Sequence, residues 1–266
     1  MQPIEDRSTK GILRAQAGDG LFRLSRYEAA EPLRSYVQHY WTVEWDLRSR
    51  EPYTQKVLSH PNVNFVLEKG KTRIYGIWDK TAVQVLEGVG RVFGVKFNPG
   101  GFHPFWGQPL STLTERSIGA EDVFGAAVLE LEKEVLSADD LSEQVGRMDR
   151  FLLDRLPEAD ANVELVNRIV AKMAEERDIV KVDQLSDRFA LGARTLQRLF
   201  DRYVGVSPKG VIQRFRMHEV AERIEKDKEI DWADLSAEMG YYDQAHLIRD
   251  FKALLGKTPE EYARDL

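Results

Sequence analysis

The chain has 266 residues, 42% of them hydrophobic, which is enough for two domains with ordinary cores. Its 44 acidic and 38 basic residues exclude a nonspecific nucleic-acid coat, so any DNA binding has to come from local charge. The absence of cysteine excludes disulfides, thiolate metal sites and cysteine nucleophiles. No apolar run approaches the ~20 residues of a membrane span, and the acidic Glu5 and Asp6 argue against a signal peptide. We therefore expect a cytoplasmic protein with no membrane partner.

The N-terminal part has the pattern of short strands. Residues 37–47 alternate apolar and polar side chains with period two, as a half-buried strand does. Further strands are predicted at 21–25, 54–58, 63–67, 72–78, 82–86 and 91–97. Short strands spaced in this way indicate an antiparallel sandwich or barrel. The sequence predicts a β-rich domain over residues 1–117 and a helical connector over 118–160, giving an α+β chain.

Aromatic side chains are dense in this domain, next to a loop (98–108) rich in glycine and proline. A small, largely apolar or aromatic effector is one interpretation. Its contacts are predicted among Trp41, Trp45, Trp78, His103 and Trp106. The alternative is a domain filled by its own side chains, which serves dimerisation or partner docking without a ligand.

Enzyme chemistry has little support in the sequence. A metal-dependent enzyme of the cupin type needs clustered histidine and carboxylate ligands. The histidines are instead scattered, at His39, His60, His103, His218 and His246, with no His-X-His pair. The glycines Gly88 and Gly90 lack the third glycine and the following helix of a dinucleotide site. We expect no catalysis, no metal and no cofactor.

The first of two helix-turn-helix patterns begins at residue 182, where Asp183 is predicted to cap a short helix. A turn follows at 190–192, in which Gly192 is predicted to take a positive φ. The next helix has an apolar stripe at Leu196, Leu199, Phe200 and Tyr203. Its opposite face has Arg194, Gln197, Arg198 and Arg202, and arginine and glutamine can bond base edges in the major groove.

The second pattern repeats the first, since Leu196 and Leu247 begin matching segments 51 positions apart. Asp231 and Asp243 are predicted N-caps on either side of a turn at 240–241. The apolar stripe of the second reading helix leaves five residues for the DNA side: Gln244, Ala245, Ile248, Arg249 and Lys252. A helix that starts at Pro208 joins the two units and can set them in successive major grooves, ~34 Å apart.

Local charge supports this interpretation. Residues 188–216 contain seven basic residues and one acidic residue. The basic residues are Arg188, Arg194, Arg198, Arg202, Lys209, Arg214 and Arg216, and the acid is Asp201. A focused basic stripe on an acidic chain favours specific sites over random DNA at physiological salt.

The C-terminal part resembles the AraC family of bacterial transcription regulators. The resemblance rests on ARTLQRLF at 193–200, GVSP at 205–208, RFRM at 214–217, GYYDQAHL at 240–247, FK at 251–252 and GKTPEEY at 256–262. It implies a seven-helix domain, assigned here to residues 161–266, that binds specific double-stranded DNA and contacts RNA polymerase. It also implies base reading by Arg194, Gln197 and Arg198 and by Gln244, Ala245, His246, Ile248 and Arg249.

The N-terminal part is similar to the β-rich, distantly cupin-like sensor domain that precedes AraC-type domains in many regulators. The residues concerned are HPNVN at 60–64, GVKFNPGGF at 94–102 and LTER at 113–116. The two resemblances together imply a sequence-specific transcription regulator that responds to an effector through its first domain. The alternative stays open: a DNA-binding protein whose first domain serves homodimerisation or docking.

Overall fold

The computed structural model describes residues 20–78, 80–226 and 230–264. Strands occupy the N-terminal part of this range: β1 (Phe22–Tyr27), β2 (Val37–Asp46), β3 (Tyr53–Val57), β4 (Asn64–Leu67), β5 (Arg73–Tyr75), β6 (Ala82–Leu86), β7 (Val89–Phe97) and β8 (Ser117–Gly119). The seven predicted strands are all present. The three residues of β8 are too few to give a period-two pattern, and the sequence did not predict this strand.

The strands form two antiparallel sheets. One has six strands in the order β1-β2-β7-β4-β5-β8, and the other pairs β3 with β6. Within the described residues the six-stranded sheet has free edges at β1 and β8, so it is open. The antiparallel β-rich prediction is confirmed, whereas closure into a barrel is not observed, because short helices rather than further strands cover the sheet.

Register assigns the two faces of the large sheet. Tyr40 lies opposite Val95 on β7, and both are buried. The neighbouring residue His39 pairs with Lys96, and Trp41 pairs with Gly94, so these side chains lie on the other face. This second face, which we call the outer face, remains partly exposed.

Aromatic rings fill the inner face. Tyr40, Phe65, Phe93, Phe97 and Phe102 are fully buried. The ring centroids of Tyr40 and Phe93 are 5.6 Å apart, and those of Phe97 and Phe102 are 5.0 Å apart. Burying one such ring stabilises the fold by roughly 1.5–3 kcal/mol. Much of the aromatic content of this part therefore forms its core.

Short helices cover this core: α1 (His103–Trp106), α2 (Glu121–Phe124), α3 (Ala127–Ser137) and α4 (Leu141–Leu153). Helix α4 begins at the N-cap Asp140, whose side chain accepts a hydrogen bond from Ser142 N at 3.0 Å. Farther along α4, the Asp149 carboxylate accepts a hydrogen bond of 2.7 Å from the Tyr40 hydroxyl. This bond gives the buried hydroxyl a partner and ties the helix to the sheet.

The C-terminal part is helical in the described residues: α5 (Ala161–Glu175), α6 (Val182–Phe189), α7 (Ala193–Tyr203), α8 (Pro208–Lys226), α9 (Trp232–Glu238), α10 (Gln244–Leu255) and α11 (Pro259–Arg264). Seven helices in this range agree with the expectation from the family resemblance. The α+β fold class is confirmed. The exact boundaries at residues 117 and 160 stay predictions.

Two of the predicted N-caps are confirmed. Asp231 Oδ1 accepts hydrogen bonds from Ala233 N and Asp234 N at 2.8 and 3.0 Å, and Asp243 Oδ1 accepts one from His246 N at 2.8 Å. The third predicted cap was wrong. Asp183 lies inside the first turn of α6, whose N-cap is Lys181. The Gln184 side chain accepts the Lys181 N–H at 2.8 Å and so satisfies this helix start instead.

The turn of the first unit also differs from its prediction. Gly192 has φ −63° and is the N-cap of α7, whereas Ala190 takes the left-handed conformation with φ 50°. The reversal comes at the end of α6, where the Ala190 and Leu191 N–H groups both bond the Ser186 carbonyl. The left-handed conformation costs an alanine residue roughly 1–2 kcal/mol.

The buried side chains form two clusters that do not follow the predicted domain division. One runs from the large sheet through α5 and α7 as far as Val211 and Ile212 in α8. The other surrounds α9, α10 and α11, and it also contains Leu58, which follows β3. Both helix-turn-helix units therefore share buried contacts with the β-rich part. Within the described residues, no helix has the length and apolarity needed to cross a membrane.

A substitution at Gly205, which follows α7, tests the packing between the β-rich part and the helical part. Its φ is +89°, and a Cβ there would lie 2.7 Å from the Leu110 carbonyl oxygen. We expect Gly205→Ala to lower the free energy of unfolding by roughly 1–3 kcal/mol, because strain and a backbone clash both act against alanine. Urea denaturation of the full chain measures the change.

Gly192→Ala is the matched control, because no atom lies within 4 Å of the added Cβ and φ is −63°. We expect the control to change the free energy of unfolding by less than about 1 kcal/mol. Equal effects of the two substitutions would contradict the close approach at Gly205.

Candidate DNA-reading surface and domain junction

Helix α7 separates a packing face from a polar face. Leu196, Leu199 and Phe200 are buried, whereas the predicted base-reading residues Arg194, Gln197 and Arg198 are exposed. Three and four residues separate the members of each set, so each set lies on one side of the helix. The polar side carries exposed side chains of the types that can bond base edges in the major groove.

Helix α10 presents a second exposed set. Gln244, Ala245, His246, Arg249 and Lys252 are exposed, and Ile248 is half-buried. Asp250 follows Arg249 and would repel DNA if it faced the groove. Instead its carboxylate accepts a 2.9 Å hydrogen bond from the Tyr241 hydroxyl on the protein side. The Asp250 carboxylate is therefore not part of the exposed polar set of α10.

Tyr242, just before the N-cap of α10, was not among the residues predicted to contact DNA. Its side chain is 96% exposed, although it is a large aromatic ring. The two adjacent tyrosines differ, since Tyr241 is half-buried beneath Arg216, at 5.5 Å from guanidinium to ring centroid. An exposed ring beside a reading helix can pack against a sugar or a base edge. The two adjacent tyrosines of the GYYDQ segment were the sequence signal for this exposed ring.

The basic stripe is smaller than the sequence indicated. Arg188 pairs with Glu176 and Asp178, and Arg216 donates to the Val180 carbonyl. Arg214 is buried, with a relative exposure of 2%. Four exposed basic residues of the stripe have no such carboxylate or carbonyl contact with another described residue: Arg194, Arg198, Lys209 and Arg202, of which Arg202 donates to the His103 imidazole. DNA contact by this segment thus depends on fewer side chains than seven.

Arg202, predicted to bind DNA, contacts the β-rich part. Its Nε donates to Nε2 of His103 at 3.0 Å, and Nδ1 of the same imidazole lies 2.9 Å from the Gln108 carbonyl oxygen. These partners fit the neutral ring with its proton on Nδ1. Burial lowers the pKa of His103, and Arg202 lowers it further, while the Gln108 carbonyl acts in the opposite direction. Any DNA contact by Arg202 has to use its Nη groups.

Arg214 joins the linking helix α8 to the β-rich part. Its Nη1 donates to the Ser59 and Trp78 carbonyls at 3.0 and 2.8 Å. A buried guanidinium is costly unless such acceptors are supplied. Helical spacing is consistent with this burial, because Arg214 lies three residues after Val211 and four before His218, on the apolar stripe of α8.

Further contacts link the β-rich part to each unit. Thr114 Oγ1 donates to the Gly205 carbonyl after α7 at 2.6 Å. At the second unit, Thr81 N and Oγ1 both donate to the Leu254 carbonyl in α10, at 3.0 and 3.1 Å. His60 stacks on His218 of α8 with ring centroids 4.2 Å apart. The β-rich part therefore holds both reading helices and the helix between them.

The five residues predicted to bind an effector do not meet in one cavity. Trp41 and Trp45 cover Gly94 and Gly90 on the outer face, and Trp45 Nε1 bonds the Glu87 carbonyl. Trp78 is 36% exposed, Trp106 Nε1 bonds Thr112, and His103 lies at the junction with Arg202. Their contact with an effector stays a prediction.

A cleft of about 860 Å³ lies elsewhere, between the outer face of the large sheet and helices α5 and α8. None of the five predicted residues lines it. Among the described residues, no group of three or more histidine, aspartate or glutamate side chains is arranged to hold a metal ion.

Family models match two segments of the chain. Residues 25–119 match a domain of unknown function, DUF6597, and residues 185–265 match a helix-turn-helix domain, which is of the AraC type. The second match agrees with the resemblance found in the C-terminal part, and the first covers the β-rich part without giving it a role. No curated protein matches the chain.

The chain is also similar, remotely, to solved structures of ToxT from Vibrio cholerae. ToxT from strain O395 has 8% sequence identity and a TM-score of 0.37, with 92% of this chain and 94% of that chain covered. Wild-type ToxT from strain SCE256 with an unsaturated fatty acid bound has 11% identity and a TM-score of 0.36, with 91% and 94% covered. These similarities are too distant to assign a ligand to this chain.

Proposed function

We propose that this chain, a DNA-binding transcription regulator with an AraC-type helix-turn-helix domain, reads one specific duplex site with both of its units and responds to an effector. The exposed polar face of α7 carries the proposal. Arginine and glutamine at this spacing can bond guanine and adenine edges, and each good contact discriminates by ~1–3 kcal/mol. Arg194, Gln197 and Arg198 are the proposed base-reading residues of the first unit.

The second unit has a weaker set for base reading. Ala245 and Ile248 offer only apolar contacts, for example to a thymine methyl group. Gln244, His246, Arg249 and Lys252 are exposed and can bond bases or phosphates. We therefore assign most of the base discrimination to α7, and we assign α10 to positioning with limited reading.

The β-rich part is the proposed input. Its contacts with Arg202, Arg214 and Leu254 mean that a shift of this part changes the position of the reading helices. An effector acts in this way if it binds one arrangement better than another. The alternative is a β-rich part that serves only homodimerisation or docking, and the packed inner face of the sheet is the observation that favours it. Contact with RNA polymerase and a cytoplasmic location complete the proposal.

Replacing Arg198 with alanine tests base reading. We expect Arg198→Ala to lower the preference for the specific site by ~1–3 kcal/mol, because the side chain is exposed opposite the packing face. Thermal stability should stay nearly unchanged. Binding to specific and scrambled duplexes at matched salt measures the preference, after the site is found by selection from random duplexes.

Arg23→Ala is the control for lost charge, since Arg23 is exposed on β1 in the other part of the chain. We expect it to leave the preference intact. If Arg198→Ala retains the full preference for the specific site, the role of α7 in reading is wrong.

Spacing within the DNA tests the use of both units. We expect an insertion of about five base pairs between the two sub-sites, half a helical turn, to weaken binding strongly, since it rotates one sub-site to the far side of the duplex. An insertion of about ten base pairs separates the sub-sites without that rotation and serves as the comparison. Affinity that is unchanged by the shorter insertion would show that only one unit engages the DNA.

A further inference from the structure

The cleft between the outer face of the sheet and the helices has an uneven charge distribution. Arg26, His39 and Lys96 line it from the sheet, and Met173, Ile212 and Phe215 line it from α5 and α8. Its volume of about 860 Å³ is within the range of small-molecule sites, which often lie between domains. A ligand there would contact both parts of the chain.

Lys96 is the unusual residue of this cleft. It lies in the middle of the sheet, on β7, between His39 on β2 and Asn64 on β4. Its side chain is half-buried, and no carboxylate of the described residues lies within ion-pair distance of its Nζ. A desolvated cation without a counterion costs stability. Such a residue in a cleft therefore points to a function.

Neighbouring groups add to the positive potential around Lys96. Burial lowers the pKa of Lys96 to about 8, and Arg26 contributes to the shift, so the ammonium stays largely protonated at neutral pH. Burial lowers the pKa of His39 to about 3, with Lys96 and Arg26 contributing, so this imidazole is neutral. The sheet wall thus offers a cation with a neutral hydrogen-bonding ring beside it.

Acidic residues on the helical wall do not neutralise Lys96. Four glutamates line the helical wall. Glu219 pairs with Arg177 at 2.8 Å, Glu176 with Lys172 at 3.0 Å and Glu222 with Lys226 at 3.6 Å, so cations of their own part of the chain hold three of them. The fourth, Glu164 on α5, is exposed and forms no ion pair with Lys96. The remaining helical wall includes apolar side chains, among them Ile212 and Phe215, which can pack against the body of a ligand.

We infer that this cleft binds a small organic anion, with its acidic group at Lys96 and its apolar body against α8. The inference rests on the proposed effector response and gives that effector a place and a chemical class. It places the effector in this cleft and not inside the β-rich part, where side chains pack the inner face of the sheet. Of the five aromatic and histidine residues first predicted, Trp41 and Trp45 share the outer face with Lys96.

Such a ligand would couple to DNA binding through the walls of the cleft. It would touch the sheet on one side and α8, which joins the reading units, on the other. Its differential affinity for two arrangements sets the coupling, typically about 5- to 150-fold in the affinity for DNA.

The experiment uses the full chain and two anionic probes, phenylacetate and phenyl phosphate, with phenylacetamide as the uncharged counterpart. Isothermal titration calorimetry measures binding to the unaltered protein, to Lys96→Met and to Lys69→Met. Lys69 is exposed in the turn after β4 and does not line the cleft, so it controls for lost charge. We expect at least one anion to bind, and Lys96→Met to weaken it about tenfold or more, with Lys69→Met unchanged. A carboxylate preference or a phosphate preference then identifies the acidic group.

Absence of binding by both anions up to about 10 mM, equal binding of phenylacetamide and phenylacetate, or equal binding by Lys96→Met would each overturn the inference. Without ligand, Lys96→Met should be at least as stable as the unaltered protein, because it removes an uncompensated charge. A large loss of stability would assign Lys96 to the fold instead. DNA binding by unliganded Lys96→Met is measured in parallel. If the unaltered protein binds DNA but binds neither anion, the regulator function stands and only the cleft assignment falls.

Discussion

The buried guanidinium of Arg214 is the contact on which the arrangement of the whole molecule depends. A charged group at 2% exposure needs strong acceptors, and the Ser59 and Trp78 carbonyls supply them from two separate loops of the β-rich part. Because Arg214 lies in α8, between the two reading units, its bonds fix the β-rich part to the middle of the DNA-binding half. Separating the two parts would take these two carbonyls away from a buried charge, and this cost disfavours the separation.

The other junction contacts follow from this docking. With α8 held, Gly205 lies against Leu110 and Thr114 near the end of α7, and Thr81 reaches Leu254 in α10. The reading helices are thus fixed relative to each other by α8 and also by the sheet behind them. A molecule in the cleft would act on the same junction, since its walls belong to the sheet and to α8. Input and DNA reading would then share one set of contacts.

Local patterns predicted the helices well, because amphipathic spacing and caps depend on neighbours in sequence. The packing stripe of α7, the start of α8 at Pro208 and the cap at Asp243 are examples. Period-two alternation in β2 likewise predicted that Tyr40 and Trp41 lie on opposite faces of the sheet. The alternation alone does not show which face forms the core, and for this reason Trp41 and Trp45 were predicted to contact a ligand.

The roles of Arg202, Arg214 and Lys96 could not be predicted in the same way, since each depends on groups distant in the chain. Arg214 is 155 positions from Ser59, and Arg202 is 99 from His103. A basic residue on a helix has the same local pattern whether it meets a phosphate or a carbonyl of another domain. The sequence alone therefore overestimated the basic stripe, and it gave no means of pairing the sheet with the helices across the cleft.

The distance between the two reading units is the most direct test of this arrangement. The chain has no cysteine, so spin labels can be placed at Asp187→Cys in α6 and Ala253→Cys in α10, both at exposed positions. Double electron–electron resonance on the free protein should give one narrow distance distribution, and adding Arg214→Met should broaden it. A broad distribution in the labelled protein with Arg214 intact, or a narrow one that Arg214→Met leaves unchanged, would contradict the conclusion that the β-rich part holds the two units in one relative position.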